Sequence, residues 1–445
     1  MAMHSHTFKH RDSMINIFWF RRDLRLNDNT GLNKALASGL QVLPLFIFDT
    51  NIIDELPADD PRVSFIYDSL TSVDKELRET GSSILILLGD PLKIWKQLIS
   101  EYNINEVFIN KDYEPYAIER DNKIESLLAG HGTRFRRFRD QVIFEENDIL
   151  KSDGKPYTVF TPYKNSWLRK FREDLTSSVP KKMPENLTFY QNLIRFPSRG
   201  ELKLQKSSIR VRDYDLSVIP DYHKYCDIPS VDKTSYLSPH LRFGTASIRE
   251  LVWKAYNENP TFLNELIWRE FFMQILYHFP HVVTDNFKSI YDDISWRNDE
   301  NEFRRWCNGE TGYPIVDAGM RQLNSTGYMH NRVRMITSGF LCKHLLTDWR
   351  WGETYFAGKL LDYELSSNNG NWQWAAGTGC DAAPYFRVFN PDTQQKKFDQ
   401  AMEYTRKWVE DIDKSTYARK VVDHDFARQR AVDTYKAGMR RNQYT

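Results

Sequence analysis

The sequence predicts a two-domain protein in which a parallel α/β sheet is followed by an all-helical domain. Up to about residue 140, short apolar runs alternate with longer helical patterns, whereas between about 172 and 232 the periodicity fades into polar, proline-punctuated sequence. After 233 helical spacing dominates, and nine of the twelve tryptophans lie at 253 or later. We expect an α/β domain over 14–140, a connector over 141–232 and a helical domain over 233–445.

The first domain is predicted from four apolar runs, INIFWF, QVLPLFIF, SILILL and EVFINKD, which helical segments separate. Strands that alternate with helices pair in parallel, so a Rossmann-like sheet is expected. The usual dinucleotide motif GxGxxG is missing after the first strand, and GHG at 130–132 fits the end of a helix. The segment RFRRFR at 134–139 is the most obvious candidate for a basic nucleic-acid-binding patch, but its alternation of charge with phenylalanine is also typical of a half-buried or edge strand, and a strand is preferred.

Composition narrows the class of protein. The chain is 41% hydrophobic and 27% charged. Its apolar runs are far shorter than a membrane span, and it does not open with a charged segment followed by an apolar one. We therefore expect a cytoplasmic protein that is not inserted in a membrane. Its four cysteines form no CxxC pair, which argues against a zinc site or a disulfide framework. Because the 61 basic residues are nearly balanced by 60 acidic residues, the net charge does not predict nucleic-acid binding.

Three later segments carry residue types suited to chemistry. TSYLSPHLRFG at 234–244 places hydroxyls before a helix, where a phosphate is favoured, although ordinary capping is the alternative. NELIWREF at 264–271 sets Glu265 and Arg269 one helical turn apart beside Trp268, which also fits an exposed ion pair next to a core tryptophan. NNGNWQWAAGTGC at 368–380 holds two tryptophans in a composition that favours neither helix nor strand, with local packing as the alternative.

These segments, together with WFRRDLRLNDN at 19–29 and GYPIVDAGMRQLNSTGYMHNRVRM at 312–335, resemble the photolyase/cryptochrome family. The resemblance runs in order from about residue 15 nearly to the last residue, and it is most similar to the class I photolyases of cyclobutane pyrimidine dimers. It implies an enzyme, a carbon–carbon lyase, that uses light and reduced FAD to split such dimers in DNA. A monomer that binds DNA through its helical, FAD-binding domain is expected.

The resemblance also implies which residues hold FAD. The diphosphate would lie against Tyr222, Thr234, Ser235, Tyr236, Leu237 and Ser238. The flavin would lie against Arg334, Asp362, Tyr363, Glu364 and Asn368, with Asn368 near the flavin N5. The usual Asp-x-Asp of the family reads DYE here, so Glu364 stands in the second acidic position. Without the resemblance, Arg334 and Asp362 would be an ordinary structural ion pair.

A second implied set would bind the lesion and the DNA: Glu265, Trp268, Arg269, Asn331, Arg332, Met335, Trp374 and Gln394. Trp268 would be a flat wall for the stacked pyrimidines, and desolvation should raise the pKa of Glu265 so that it can donate a proton. Arg269 would meet a phosphate or the pocket acid. Enzymes for the six-four photoproduct carry histidine at Asn331, and DASH-type cryptochromes carry glutamine at Met335, so both residues favour dimer repair.

The catalytic assignments are Glu265 and Asn331 at the lesion and a row of electron donors. By resemblance that row is Trp372, Trp349 and Trp296, from the innermost to the outermost. Tryptophan is among the side chains most easily oxidised by one electron, so the row would refill a photoexcited oxidised flavin. Trp374 is assigned to the lesion-facing wall or to packing.

Two other functions and the antenna are left open by the sequence. A signalling cryptochrome is the first alternative; such receptors often carry a tail beyond the shared module, and the chain ends soon after its last predicted helix. A flavin enzyme with a nicotinamide donor is the second, disfavoured by the missing GxGxxG. NKDYEPY at 110–116, which includes Glu114, resembles the stretch that contacts a light-harvesting antenna chromophore in the family. Folate is preferred as this chromophore over deazaflavin or no second chromophore. Val283 and Thr284 depart from the cysteine and lysine that accompany folate in one branch.

Overall fold

The computed structural model describes residues 10–175, 179–184 and 188–442, which fall into two compact units. The first unit holds the described residues up to Glu145, with Asp174–Val211 and His240–Trp253. The second holds Glu146–Glu173, Arg212–Pro239 and the described residues from Lys254 onward. Each unit is therefore built from separate stretches of the chain.

The first unit is a five-stranded sheet with helices in its connections. Its elements are β1 His10–Phe20, α1 Thr30–Leu36, β2 Val42–Asp49, α2 Thr50–Ile53, α3 Pro61–Glu79, β3 Leu85–Gly89, α4 Pro91–Glu101, β4 Tyr102–Asn110, α5 Pro115–Ala129 and β5 Arg134–Phe138. The strand order is β3-β2-β1-β4-β5 and every pairing is parallel. This is the doubly wound topology that the alternating pattern predicted.

Side-chain alternation explains why the central strands are apolar throughout. Phe18 and Phe20 of β1 pack into one core cluster, whereas Ile17 and Trp19 pack into another. Successive side chains of a strand point to opposite faces, and a parallel sheet is covered on both faces. All eight residues of β2 are buried for the same reason.

The segment RFRRFR forms β5 at one edge of the sheet, as predicted. The guanidinium groups of Arg134 and Arg136 lie 2.7 Å and 3.3 Å from the Glu106 carboxylate on the neighbouring strand. Charged side chains at an edge discourage pairing with another chain. The GHG segment follows the end of α5, with Gly132 at φ +76°, which confirms its place at a helix end.

Part of the polar connector packs into the first unit. The backbone N–H of Val42 donates to the carbonyl of Thr188 (2.8 Å), and that of Tyr190 donates to the carbonyl of Val42 (2.8 Å). Phe189 between them is buried, as are Leu202 and Leu204. A few apolar residues therefore anchor a stretch whose periodicity is too weak to predict structure.

The segment 240–253 contacts the loop after β1 within the first unit. The N–H of Leu24 donates to the carbonyl of Phe243 (3.1 Å), and the Arg25 guanidinium donates to the carbonyl of Gly244 (3.0 Å). Gly244 has φ +67°, and a Cβ there would lie 2.1 Å from the carbonyl oxygen of Arg22. Only glycine fits, because both the backbone conformation and the space exclude a side chain.

We therefore expect Gly244→Ala to lower the free energy of unfolding by about 3 kcal/mol or more, through strain added to a clash with backbone. Gly132→Ala is the matched control, since Gly132 also has positive φ but nothing lies within 4 Å of the added Cβ. Its cost should be only about 1–2 kcal/mol. Urea unfolding of both variants measures the difference; equal losses would contradict the close-approach argument.

The second unit is helical in its described residues. Its helices are α6 Phe160–Glu173, α7 Tyr222–Tyr225, α10 Pro260–His278, α11 Glu300–Asn308, α12 Pro314–Thr326, α13 Asn331–Gly339, α14 Trp349–Lys359, α15 Leu365–Ala376, α16 Pro391–Phe398, α17 Glu403–Trp408 and α18 His424–Asn442. The chain passes between the units within α8 (Ser238–Phe243) and α9 (Ile248–Glu258). In the ranges that the structure describes, no helix has the length and apolar character required to cross a bilayer.

The segment NNGNWQWAAGTGC contains most of α15, so its composition misled the sequence analysis. Val282 supplies a carbonyl that accepts from the Asn369 amide (2.8 Å) and the Gln373 amide (3.0 Å), and Trp372 is buried in the main core of the unit. Gly377, at φ +86°, ends the helix. Tertiary contacts therefore override the weak helix propensity of Asn and Gly.

Candidate functional site

All the residues predicted to bind FAD or the lesion lie in the second unit. Tyr222 begins α7 and packs edge-on against Phe262, with ring centroids 5.0 Å apart. Its pKa lies above the usual range because it is buried, with a further contribution from the charge of Glu265. Tyr222 therefore packs against α10, the helix that carries Glu265, Trp268 and Arg269.

The diphosphate segment has a constrained backbone before α8. Tyr236 has φ +52°, its hydroxyl donates to Asp232, and the same hydroxyl accepts from Arg212 (2.7 Å). Leu237 is buried and Thr234 is half-buried. Ser235 is half-buried and Ser238 is exposed at the start of α8, so neither side chain is enclosed by the protein.

The predicted flavin residues meet around an ion pair. Arg334 on α13 donates to both oxygens of Asp362 (3.2 Å and 2.9 Å) and to the carbonyl of Met329 (2.8 Å). Tyr363 beside Asp362 is half-buried and packs against the main core. A bidentate ion pair fixes the orientation of both side chains. The atoms of Arg334 and Asp362 that the pair does not use are therefore held in place to contact a bound ligand.

Asn368 is oriented by a residue that the sequence analysis missed. The Asn368 amide donates to the backbone carbonyl of Glu353 (3.1 Å) and to its carboxylate (2.8 Å). Burial raises the pKa of Glu353. Both amide hydrogens are used, so the Asn368 Oδ1 is the atom left to accept a hydrogen bond from a ligand. A spacing of fifteen residues gives no periodic signal for such a pair.

Glu364, the departure from the family pattern, is buried and precedes α15. Its carboxylate accepts from the Arg269 guanidinium (2.9 Å) and from the Ser367 hydroxyl (3.2 Å). Glu364 is therefore an acid that Arg269 contacts, and the predicted contact of Arg269 with a phosphate or with the lesion-pocket acid stays a prediction. The nearby hydroxyl of Ser366 is buried and has no hydrogen-bond partner among the residues that the structure describes, so Ser366 is a second residue that the sequence analysis missed.

Glu265 lies beside Asp227 and Arg332. Its side chain is exposed, yet reduced solvation by the surrounding groups raises its pKa to about 7. The negative charge of Asp227 raises the pKa further, and the positive charge of Arg332 opposes both effects. The raised pKa expected from the sequence is present, so a large fraction of Glu265 is protonated at neutral pH.

Arg332 forms an ion pair with Asp227. Its guanidinium lies 2.6 Å from the Asp227 carboxylate and 4.4 Å from the centroid of the Phe398 ring. Asn331 is the first residue of α13 and is exposed, and Met335 is half-buried one turn later. Gln394, on α16, is also half-buried. These side chains lie at or near the surface, where a large ligand can reach them.

His330 has a structural role. Its Nδ1 accepts from the backbone N–H of Arg332 (3.2 Å) and so caps α13. Burial lowers its pKa to about 4, so the ring is neutral and able to accept this bond.

Trp268 is covered by other aromatic rings. The Phe160 ring is stacked on it with centroids 3.6 Å apart, and the Phe272 ring is 5.4 Å away at an angle of 28°. Trp268 is half-buried, so part of its surface is accessible. This packing fixes the plane of the indole.

The predicted electron donors are spread over three parts of the second unit. Trp372 and Trp349 are almost fully buried, whereas Trp296 is half-buried and contacts Tyr435 with centroids 5.8 Å apart. The Trp349 indole donates to Asn286 (2.9 Å). Trp374 is half-buried two residues after Trp372, and two helical positions place their side chains on nearly opposite faces of α15.

The donor set fits the parts of FAD. The hydroxyls of Ser235, Ser238 and Ser366 suit phosphate or ring acceptors, and the Asn368 Oδ1 suits an N–H. The ion pair of Arg334 and Asp362 suits a ring that carries both donors and acceptors.

The comparisons with known proteins identify the family. Residues 16–185 match the family model for DNA photolyase, and residues 262–416 match that for the FAD binding domain of DNA photolyase. A deoxyribodipyrimidine photo-lyase of Synechococcus sp. is 35% identical over 428 residues, which cover 89% of this chain and 88% of the relative.

Two solved structures are also similar. A class III photolyase from Agrobacterium tumefaciens has a TM-score of 0.86 and 33% identity, and the match covers 98% of this chain and 100% of the other. An archaeal photolyase from Sulfolobus tokodaii with two FAD molecules has a TM-score of 0.83 and 35% identity, with 95% and 100% covered.

A doubly wound parallel sheet and a helical unit that contains the photolyase FAD-binding domain define a flavoprotein of the photolyase type. The chain belongs to the photolyase/cryptochrome family, as its motifs predicted. Its placement in class I stays a prediction, because one of the similar structures is a class III enzyme.

Proposed function

We propose that the protein repairs cyclobutane pyrimidine dimers in DNA, in the light, as a deoxyribodipyrimidine photo-lyase. Reduced FAD, when bound, supplies the electron that splits the dimer and takes it back afterwards. The observation that carries the proposal is identity of about 35% to enzymes of that name over most of the chain, and the raised pKa of Glu265 beside Asp227 and Arg332 supports it.

The proposed roles of the lesion residues follow from their chemistry. Protonated Glu265 donates a hydrogen bond to a pyrimidine carbonyl, where negative charge accumulates as the dimer receives the electron. Asn331 donates or accepts at the second base, and Trp268 and Met335 provide apolar walls. Such a pocket requires the dimer to leave the stack, a step common to enzymes that act on bases, photolyases among them.

The remaining lesion and DNA residues have positioning roles in this proposal. Arg332 and Gln394 bind the DNA backbone near the flipped dimer. Arg269 holds Glu364, and Trp374 packs at the lesion-facing side of α15 or into the neighbouring helices.

The proposal also assigns the cofactor residues. Ser235, Ser238 and the backbone from Thr234 to Leu237 bind the diphosphate, which Tyr222 covers. Arg334, Asp362 and Tyr363 hold the flavin, Glu364 keeps its side of the pocket charged, and Asn368 accepts from the flavin N5. Trp372, Trp349 and Trp296 return an oxidised flavin to the reduced state.

Loss of dimers from irradiated DNA tests the function directly. The purified protein with reduced FAD is incubated with the DNA under near-ultraviolet or blue light and, as a control, in the dark. We expect dimers to disappear only in the light. Bound FAD without light-dependent repair would contradict the proposal and favour the cryptochrome alternative.

The ion pair with Asp362 gives a prediction for cofactor binding. Asp362→Asn should weaken FAD binding about tenfold, a loss of about 1.4 kcal/mol, because Arg334 loses its charged partner. The Arg334 side chain is 27% exposed, which limits the cost. Flavin absorbance per protein measures the loss. Asp413→Asn removes an acid from an exposed pair with Arg406 and should leave FAD content unchanged.

Three further proposals concern the setting of the enzyme. It works as a monomer in the cytoplasm, because its four free cysteines suit a reducing compartment.

Its antenna chromophore, with folate as the first choice, lies near Glu114, whose carboxylate accepts from Arg22 (3.2 Å) and Arg242 (2.9 Å). Light scattering tests the monomer, and absorbance of material extracted from the protein tests the folate.

A further inference from the structure

Glu265 has a neighbouring acid, Asp227, that the sequence analysis did not single out. Asp227 comes shortly after α7, and the edge-on contact between Tyr222 and Phe262 docks α7 on α10, the helix that carries Glu265. Phe262 lies nearly one helical turn before Glu265, on the same side of α10. The chain that leaves α7 therefore brings Asp227 to the side of Glu265.

Asp227 engages most of the Arg332 guanidinium. The Oδ1 of Asp227 accepts from the Arg332 Nε (3.1 Å) and from its Nη2 (2.6 Å). The Nη1 donates to the Met335 sulfur (3.6 Å), and the guanidinium carbon lies 4.4 Å from the centroid of the Phe398 ring. Among the residues that the structure describes, Arg332 forms its ion pair with Asp227 and none with Glu265.

Two acids therefore compete for one arginine, and the outcome decides the state of Glu265. An arginine that pairs with a carboxylate favours its ionised form, so a bond from Arg332 to Glu265 would remove the proton that Glu265 is proposed to share with the dimer. Asp227 opposes this by occupying the guanidinium donors. Reduced solvation raises the pKa of Glu265, the negative charge of Asp227 raises it further, and the positive charge of Arg332 acts against both.

The other ionisable groups around Glu265 cannot replace the charge of Asp227. Tyr222 and Cys226 face Glu265 from the same segment, and burial raises the pKa of each, so both stay neutral near pH 7. Arg269, one turn further along α10, already has an acid partner at 2.9 Å. From α13, the charged group that faces Glu265 is the arginine described above.

The ion pair is too exposed to be explained as a stabilising contact. The side chains of Arg332 and Asp227 are 20% and 52% exposed. Ion pairs so open to solvent contribute little to the stability of a fold. The position of Asp227 beside a proposed proton donor is the better explanation of its role.

We propose that Asp227 is a positioning residue for repair, which holds Arg332 away from Glu265 and so keeps Glu265 in the form that donates a hydrogen bond to the dimer. The inference rests on the proposed function, in which Glu265 acts at the lesion. No local pattern could have predicted it, because 105 residues separate Asp227 from Arg332.

The pH profile of repair distinguishes this role from a structural one. The yield per absorbed photon is measured with reduced FAD and with protein in excess over the dimers. Asp227→Asn should move the fall in yield to lower pH by about half a unit or more, because Arg332 becomes free to ionise Glu265. Arg332→Gln should move it to higher pH, because the charge that favours ionisation is gone. The double variant should return close to the unmodified protein.

Matched controls make the same changes of charge in a different ion pair of the second unit. Asp413→Asn and Arg406→Gln should leave the profile where it is. A role in folding alone would lower the yield of both Asp227→Asn and Arg332→Gln without moving their profiles in opposite directions. Shifts in the same direction, or no shift in Asp227→Asn, would overturn the proposal.

A titration in the dark tests the proposal without any repair. The carbonyl stretch of the protonated carboxyl group is followed by infrared spectroscopy in protein with isotope-labelled glutamate, and Glu265→Gln identifies its band. The same opposite shifts are expected, and an unshifted titration in Asp227→Asn would overturn the proposal. If these shifts are present but the dithionite-reduced, unmodified protein splits no dimers in the light, the proposed function is contradicted, whereas the control of Glu265 by Asp227 stands.

Discussion

Replacing Trp372 by phenylalanine is expected to slow photoreduction of bound, oxidised FAD by about 100-fold or more, which corresponds to about 2.7 kcal/mol in the barrier. The proposed row of electron donors reaches the flavin through Trp372, and phenylalanine is far harder to oxidise by one electron. Flavin absorbance under blue light, with an external reductant present, measures the rate.

The substitution also changes the packing around Trp372. A Cβ on Gly352 would lie 2.1 Å from the Trp372 ring, which shows how closely the backbone of α14 approaches the indole. Phenylalanine leaves a small cavity there, at a cost of about 1–3 kcal/mol in the free energy of unfolding. FAD content and a thermal melt are therefore required controls.

After chemical reduction, Trp372→Phe should still split dimers in the light, because repair begins from flavin that is already reduced. A photoreduction rate equal to that of the unmodified protein would remove Trp372 from the electron path. Failed repair by the dithionite-reduced variant would assign Trp372 a structural or catalytic role instead.

Replacing Glu265 by alanine is expected to lower repair per absorbed photon by about tenfold, since a hydrogen bond to a developing charge is worth about 1.5–3 kcal/mol. FAD content should stay near that of the unmodified protein, because Glu265 is not among the proposed flavin contacts. Asn331→His should also weaken dimer repair without unfolding the protein. An unchanged yield in Glu265→Ala would refute the assignment.

The pH dependence of repair provides a second test of Glu265. With its pKa raised to about 7, the carboxyl group is protonated below that pH and ionised above it. If the proton is what the dimer requires, the yield falls as pH rises through about 7. Glu265→Gln keeps a neutral donor at every pH, so its yield should be flat. The same decline in Glu265→Gln would assign the titration to another group.

Local patterns were sufficient to predict the fold of both units. Alternating apolar runs predicted the strands of the sheet, and the change to helical spacing after 233 predicted the second unit. Each signal depends on neighbours in the sequence: a two-residue period for a strand and a turn of about 3.6 residues for a helix. The motifs likewise identified the family, since they match in order along the chain.

The tertiary structure decided what the patterns could not. Asn and Gly argue against a helix at 368–374, yet α15 forms because the side chains of Asn369 and Gln373 find acceptors on Val282, far away in sequence. The orientation of Asn368 by Glu353, the unpartnered hydroxyl of Ser366 and the contact of Trp372 with Trp306 have the same origin. The sequence alone determined most of the strands and helices, the family and the candidate residues, because these depend on local spacing and motif. Which side chains touch depends on how distant helices pack, and no local period records that.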